Sequence, residues 1–162
     1  MAPREQVASD FEEKVVSINR CATVTKGGRN FCFSAVVVVG DRNGQVGFGF
    51  AKAPEVPNAV EKAVKDARRS LIRVPLLGST IPHETWGRFG SSKVFVKPAA
   101  PGTGVIAGSA LRAVLEAAGV KDILAKCYGR TNPVNVVKAA MDALKSLRNR
   151  DDIARVRGVT IE

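Results

Sequence analysis

The chain has 162 residues, enough for one ordinary domain or two small ones that share a core. Lys and Arg outnumber Asp and Glu by 25 to 15, a formal charge of +10 that favours a polyanionic partner such as nucleic acid or an anionic membrane surface. No run approaches the roughly 18 apolar residues of a spanning helix and the charged start lacks a signal-peptide pattern, so no membrane span and a cytoplasmic location are expected.

Residues 1–13 read as an N-terminal extension. From Lys14 to Thr25, KVVSINRCATVT is rich in β-branched residues with partial period-two alternation, the pattern of a half-buried strand. Thr25-Lys-Gly-Gly-Arg-Asn30 is a hairpin turn: its paired glycines tolerate positive φ, and Lys26 and Arg29 bracket them at the tip. FCFSAVVVVG is the return strand, Asp41-Arg-Asn-Gly44 a second turn, and Gln45 to Phe50 a third strand. Pro54 and Pro57 then lead into NAVEKAVKDARRSLIR, where Val60, Ala63, Val64, Ala67 and Leu71 recur on one helical face, with Lys62, Lys65, Arg68, Arg69 and Arg73 as a basic flank. Pro75 closes this βββα half, residues 14–75.

The second half, residues 76–147, reads ββαβα. Thr80 to Phe89 is a strand that Pro82 confines to an edge, and KVFVKPAA is an alternating strand. The loop Pro101 to Gly108 leads into a helix, SALRAVLEAAG, capped by Gly119. Strand DILAKCYG follows, then Thr131-Asn-Pro133 opens a helix with Val136, Val137, Ala140, Met141 and Leu144 as its buried stripe. Residues 148–162, RNRDDIARVRGVTIE, show little regularly spaced apolar content and are expected to form a mobile or partner-ordered tail.

Gly102-Thr-Gly104-Val-Ile-Ala107 matches the G-x-G-x-x-A pattern of a dinucleotide loop between strand and helix. The acidic residue such a site needs near the far end of the next strand is absent, since Asp122 begins that strand, so a cofactor is not expected. Two readings of the loop stay open: phosphate binding by free amides, or a tight connection. His83 stands alone beside Glu84, with no nucleophile elbow and no Walker lysine, so no catalytic residues are assigned. Cys21, Cys32 and Cys127 form no metal-ligand spacing and read as reduced packing residues, so no metal site is expected. Phe31, Phe33, Phe48 and Phe50 fall in step with strand alternation, which favours core packing over base stacking. Asn132 and Pro133, with Arg130 and Tyr128, make a polar helix entrance that could touch RNA, although capping alone would explain it.

Several long stretches together resemble the bacterial small-subunit ribosomal protein number five family. They are VTKGGRNFCFSAVVVVGDRNGQVGFGFAKAPEVPNAV, SLIRVPL, GSTIPHE, GRFGSSKVFVKPAAPGTGVIAGSALRAVLEAAGVKDILAKCYGRTNPVNVVKAA and IARVRG, in family order and spacing. Trp86 departs from the family's look and receives no role. The resemblance implies an α+β fold: a βββα half similar to a double-stranded-RNA-binding domain without its first helix, packed on a βαβα half. It implies binding to small-subunit ribosomal RNA at the head-body junction, contacts with small-subunit proteins four and eight, and a place near the channel through which messenger RNA enters. The loop at Lys26, Gly27, Gly28 and Arg29 is implied to reach RNA and to influence spectinomycin sensitivity. Gly104, Gly108 and Arg112 fall in the segment implied to meet protein four, which is associated with decoding accuracy.

Charge and resemblance together give the expected RNA-binding set: Arg20, Thr25, Lys26, Gly27, Gly28, Arg29, Asn30, Lys52, Arg68 and Arg69 from the first half, and Lys126, Arg130 and Asn132 from the second, with Gly104 as a further donor to phosphate. The expected function is assembly and stabilisation of the small ribosomal subunit, with a part in translational accuracy. A nucleotide-dependent enzyme using the Gly102 loop and a free regulatory RNA-binding module are the alternatives.

Overall fold

The computed structural model describes residues 11–158. Its elements in chain order are β1 (Glu12–Thr25), β2 (Gly28–Gly40), β3 (Gln45–Ala53), α1 (Val56–Arg69), β4 (Ile72–Arg73), β5 (Thr85–Phe89), β6 (Ser92–Pro98), β7 (Val105–Ile106), α2 (Ser109–Ala117), β8 (Ile123–Gly129), α3 (Pro133–Ser146) and α4 (Arg150–Arg157). The fold is α+β, with one sheet in the order β1-β2-β3-β4 and another in the order β5-β6-β8-β7.

The unbroken run Ala35 to Val39 is wholly buried because both faces of β2 are covered. Ala35, Val37 and Val39 pack against Ala59, Ala63, Val64 and Ala67 of α1. Val36 and Val38 join Val46 in a larger core with α2, α3 and the second sheet, so the two halves share their interior. Helix α1 lies unusually close to its sheet: a Cβ built at Gly49 would stand 1.9 Å from the Ala63 carbonyl oxygen, and one at Gly47 would stand 2.4 Å from that of Ala67. Glycine on the strand and alanine on the helix are what that approach requires.

Boundaries differ from expectation by two or three residues at β1, β3 and α2, the short strand β7 is additional, and three differences have a legible cause. The helix ends at Arg69 although Leu71 continues its period, because Ser70 donates its amide to Ala67 O (3.1 Å) and its hydroxyl to Phe48 O (2.7 Å). Ile72 and Arg73 instead pair with β3. In the second half the strand begins at Thr85, beyond Pro82, rather than at Thr80. The chain beyond Arg148 forms α4, which buries no residue. Its signals are local: Asp151 and Asp152 in the first turn, Arg155 and Arg157 in the last, and Gly158 in the left-handed conformation as its C-terminal cap.

Candidate nucleic-acid interface

Strand β3 pairs with β2 only as far as Phe33↔Ala53, whereas β1 and β2 remain paired from Cys21↔Cys32 out to Thr25↔Gly28. The last five pairs therefore make a two-stranded arm extending about 14 Å past the sheet at 3.4 Å per residue. Its tip is open: residues 22–31 are all exposed, and a Cβ at Gly27 or Gly28 would meet nothing within 4 Å. Gly28 has φ 141°, which explains a glycine there, and the Thr25 hydroxyl donates to its carbonyl across the turn (3.2 Å). Lys26 and Arg29 stand at this tip, and Lys52 lies at the arm's root opposite Ser34. The Arg20 guanidinium sits 4.0 Å from the centre of the Phe31 ring.

That ring corrects the reading of the four phenylalanines as core. Phe48 packs partly against the larger core, but Phe31 is 53% and Phe50 38% exposed. Alternation predicted the side of the strand, and burial then depended on whether anything packs there. Cys21 and Cys32 lie eleven residues apart in sequence, yet the register makes them partners on the arm with sulfurs 3.1 Å apart. The neighbouring Cys21 thiol, followed by burial, pushes the Cys32 thiol above its ordinary range.

The structure does not gather the expected first-half cations into one patch. Arg68 donates to Glu13 (3.0 Å), and Glu13 pairs with Val39 at the end of the hairpin away from the tip. Glu13 and Thr25 are twelve positions apart along β1, roughly 40 Å at 3.3 Å per residue. Lys65 is engaged by Glu61 (2.5 Å) and Arg42 by Glu12 (2.8 Å). Among the described residues no carboxylate forms an ion pair with Arg20, Lys26, Arg29, Lys52 or Arg69.

In the second half the Gly102 loop is not free to bind phosphate through its glycine amides. The buried Asp122 carboxylate accepts from the Gly102 amide (3.0 Å) and the Gly104 amide (2.9 Å). The Ser79 side chain and the loop amides, Gly104 foremost, hold that carboxyl below its ordinary range although burial pushes the other way. The short strand β7 also separates the glycines from the start of α2, which is capped by Gly108. The dinucleotide pattern is thus a turn braced from within. Gly108 and Arg112 are exposed. Arg130 and Asn132 share an open cleft of about 420 Å³ with Ser91, Thr131 and Asn135, and the Asn132 side chain caps α3 by accepting from the Val134 amide (3.1 Å).

Sequence reasoning named Lys126 but missed the surface to which it belongs. Register puts Trp86 and Arg88 of β5, Lys93, Phe95 and Lys97 of β6, and Leu124, Lys126 and Tyr128 of β8 on the sheet face opposite Gly87, Val94, Val96 and Ile123. Period-two alternation of cations and aromatics in KVFVK and AKCYG carried that signal.

These features define a class: an α+β protein that presents cationic surfaces on a β-arm and an open sheet face, as ribosomal proteins do. The family model for the N-terminal domain of ribosomal protein S5 matches residues 11–75, and that for its C-terminal domain matches residues 87–157. The chain belongs to the ribosomal protein S5 family: it is a structural component of the small ribosomal subunit, located in the cytoplasm within the ribosome, and not an enzyme. It is 54% identical to small ribosomal subunit protein uS5 of Chromohalobacter salexigens, over 100% of this chain and 98% of that one. It is 56% identical to small ribosomal subunit protein uS5 of Rhodopirellula baltica, over 91% of this chain and 83% of that one.

Proposed function

We propose that the chain binds small-subunit ribosomal RNA at the head-body junction through the β1–β2 arm, and that it supports assembly of the subunit and accuracy of translation. The observation that carries this reading is the arm itself. A strand pair holds Lys26 and Arg29 beyond the body with nothing packed against the glycines between them, so two cations can enter an RNA groove while the sheet fixes their direction. Thr25 and Asn30 flank the tip, and Arg20 and Lys52 continue the positive track toward the body. Arg69 supplies a separate contact at the other end of the sheet, joined by Arg68 if RNA phosphate displaces Glu13. Lys126, Arg130 and Asn132 supply contacts from the second half.

This reading keeps the RNA-binding half 14–75, the half 76–147 and a tail 148–162 that docks on a partner, but it shortens the expected extension 1–13, because Glu12 and Glu13 already pair with Gly40 and Val39 in β1. Gly104, Gly108 and Arg112 face small-subunit protein four, with protein eight a further neighbour near the channel through which messenger RNA enters. Substitutions at residues 26–29 alter spectinomycin sensitivity. A photoreactive residue in place of Gly27, in subunits reconstituted with the full chain, should crosslink to ribosomal RNA. Crosslinks to protein alone would refute the arm's role.

A further inference from the structure

The outer face of the second sheet carries an aromatic patch that the arm does not explain. Trp86 is 47% and Tyr128 48% exposed, although large aromatic side chains ordinarily bury most of their area. They stand on different strands yet touch: the Trp86 ring centre is 4.6 Å from that of Phe95 and 5.5 Å from that of Tyr128, and the Lys93 ammonium lies 4.1 Å above the indole. Cross-strand rows interleave rings and cations, with Trp86, Phe95 and Lys126 in one row and Arg88, Lys93 and Tyr128 in the next. No Asp or Glu occurs in β5, β6, β7 or β8. Both α2 and α3 cover the opposite face, where Val94, Val96 and Ile123 are buried.

We propose that this face is a stacking platform for unpaired nucleotides of RNA, with Trp86 and Tyr128 as the rings that bases cover. The inference deepens the ribosomal-RNA reading and rests on it, but it uses a surface separate from the arm. Charge selects the partner: four cations, Arg88, Lys93, Lys97 and Lys126, with no acid among these strands, match a phosphate backbone. The rings select its state, because bases in a duplex are already stacked on each other, whereas unpaired bases expose a π-face. Ring centres this close leave no room for a base between them, so bases lie across the patch and take the place of the Lys93 ammonium over the indole. The cations interleaved with the rings then meet the backbone.

Trp86 is the sole tryptophan, so its fluorescence reports on this face alone. The full chain is titrated with a labelled single-stranded RNA dodecamer, a labelled blunt-ended RNA duplex of the same length, and inorganic polyphosphate. The dodecamer should quench Trp86 strongly, and polyphosphate should not. Followed by anisotropy of the labelled RNA, Trp86→Ala and Tyr128→Ala should each weaken dodecamer binding by about fivefold or more. Trp86→Phe should restore most of that loss, and duplex binding should change less than twofold in all three variants. Equal quenching by polyphosphate would overturn the proposal, as would dodecamer binding that leaves Trp86 emission and the alanine variants unchanged; in both cases the arm's role would stand. If neither RNA binds, the ribosomal-RNA reading falls as well.

Discussion

Replacing both cations at the arm tip, Lys26→Ala with Arg29→Ala, separates phosphate contact from a merely soluble turn. Residues 25–30 are exposed, and a Cβ at Gly27 or Gly28 would have no neighbour within 4 Å, so stability should change by no more than about 0.5 kcal/mol. Binding should change in a diagnostic way. Each cation on a phosphate adds about 0.9 to the slope of log affinity against log salt, so losing two lowers the slope by about 1.8. Between about 50 and 200 mM salt, a fourfold change, the variant should lose about twelvefold less affinity than the parent. Arg68→Ala provides a contrast, because Glu13 already engages that guanidinium at 3.0 Å and its slope change should be well under one unit. The assay is equilibrium binding of labelled small-subunit RNA across a salt series, with urea unfolding as the control for folding. Identical slopes for the double variant and the parent would refute the reasoning.

Gly49→Ala would put a methyl group 1.9 Å from the Ala63 carbonyl and force α1 off the sheet. The expected cost is about 2–3 kcal/mol, a fall of roughly 5–10 °C in Tm by calorimetry, whereas Gly27→Ala, in open space, should leave Tm within about 2 °C. Equal effects at the two sites would contradict the close packing of α1. The folded state holds the Asp122 carboxyl below its ordinary value of 3.8. Its stabilisation is therefore complete above that value and lost as pH falls through the lower, folded one. The urea midpoint of the parent should fall more steeply than that of Asp122→Asn below about pH 4; parallel curves would show that the carboxylate does not brace the loop.

The elements legible in the sequence were those whose causes are local. Thr25 to Asn30 encode their turn through paired glycines, and Asn132-Pro133 encodes the start of α3. The run Ala35 to Val39 signals a buried strand, but not that two separate layers cover it. What stayed hidden depends on partners distant in the chain. Leu71 keeps a helical period that the Ser70 hydroxyl ends by reaching Phe48, twenty-two residues back. Arg68 looks free until Glu13, fifty-five residues away, is seen beside it. In the sequence Asp122 only marks the start of its strand, yet it occupies the amides that make the Gly102 loop resemble a phosphate site. The alternation around Lys93, Phe95 and Lys97 was readable, but only the packing of α2 and α3 on the opposite face makes these residues a surface.

Sedimentation of cell extract on a sucrose gradient tests the central claim most directly. A structural small-subunit protein anchored by phosphate contacts should run almost entirely with the small subunit at low salt and be stripped from it progressively as salt rises. A majority of the chain at the top of the gradient at low salt, free of subunits, would contradict the account.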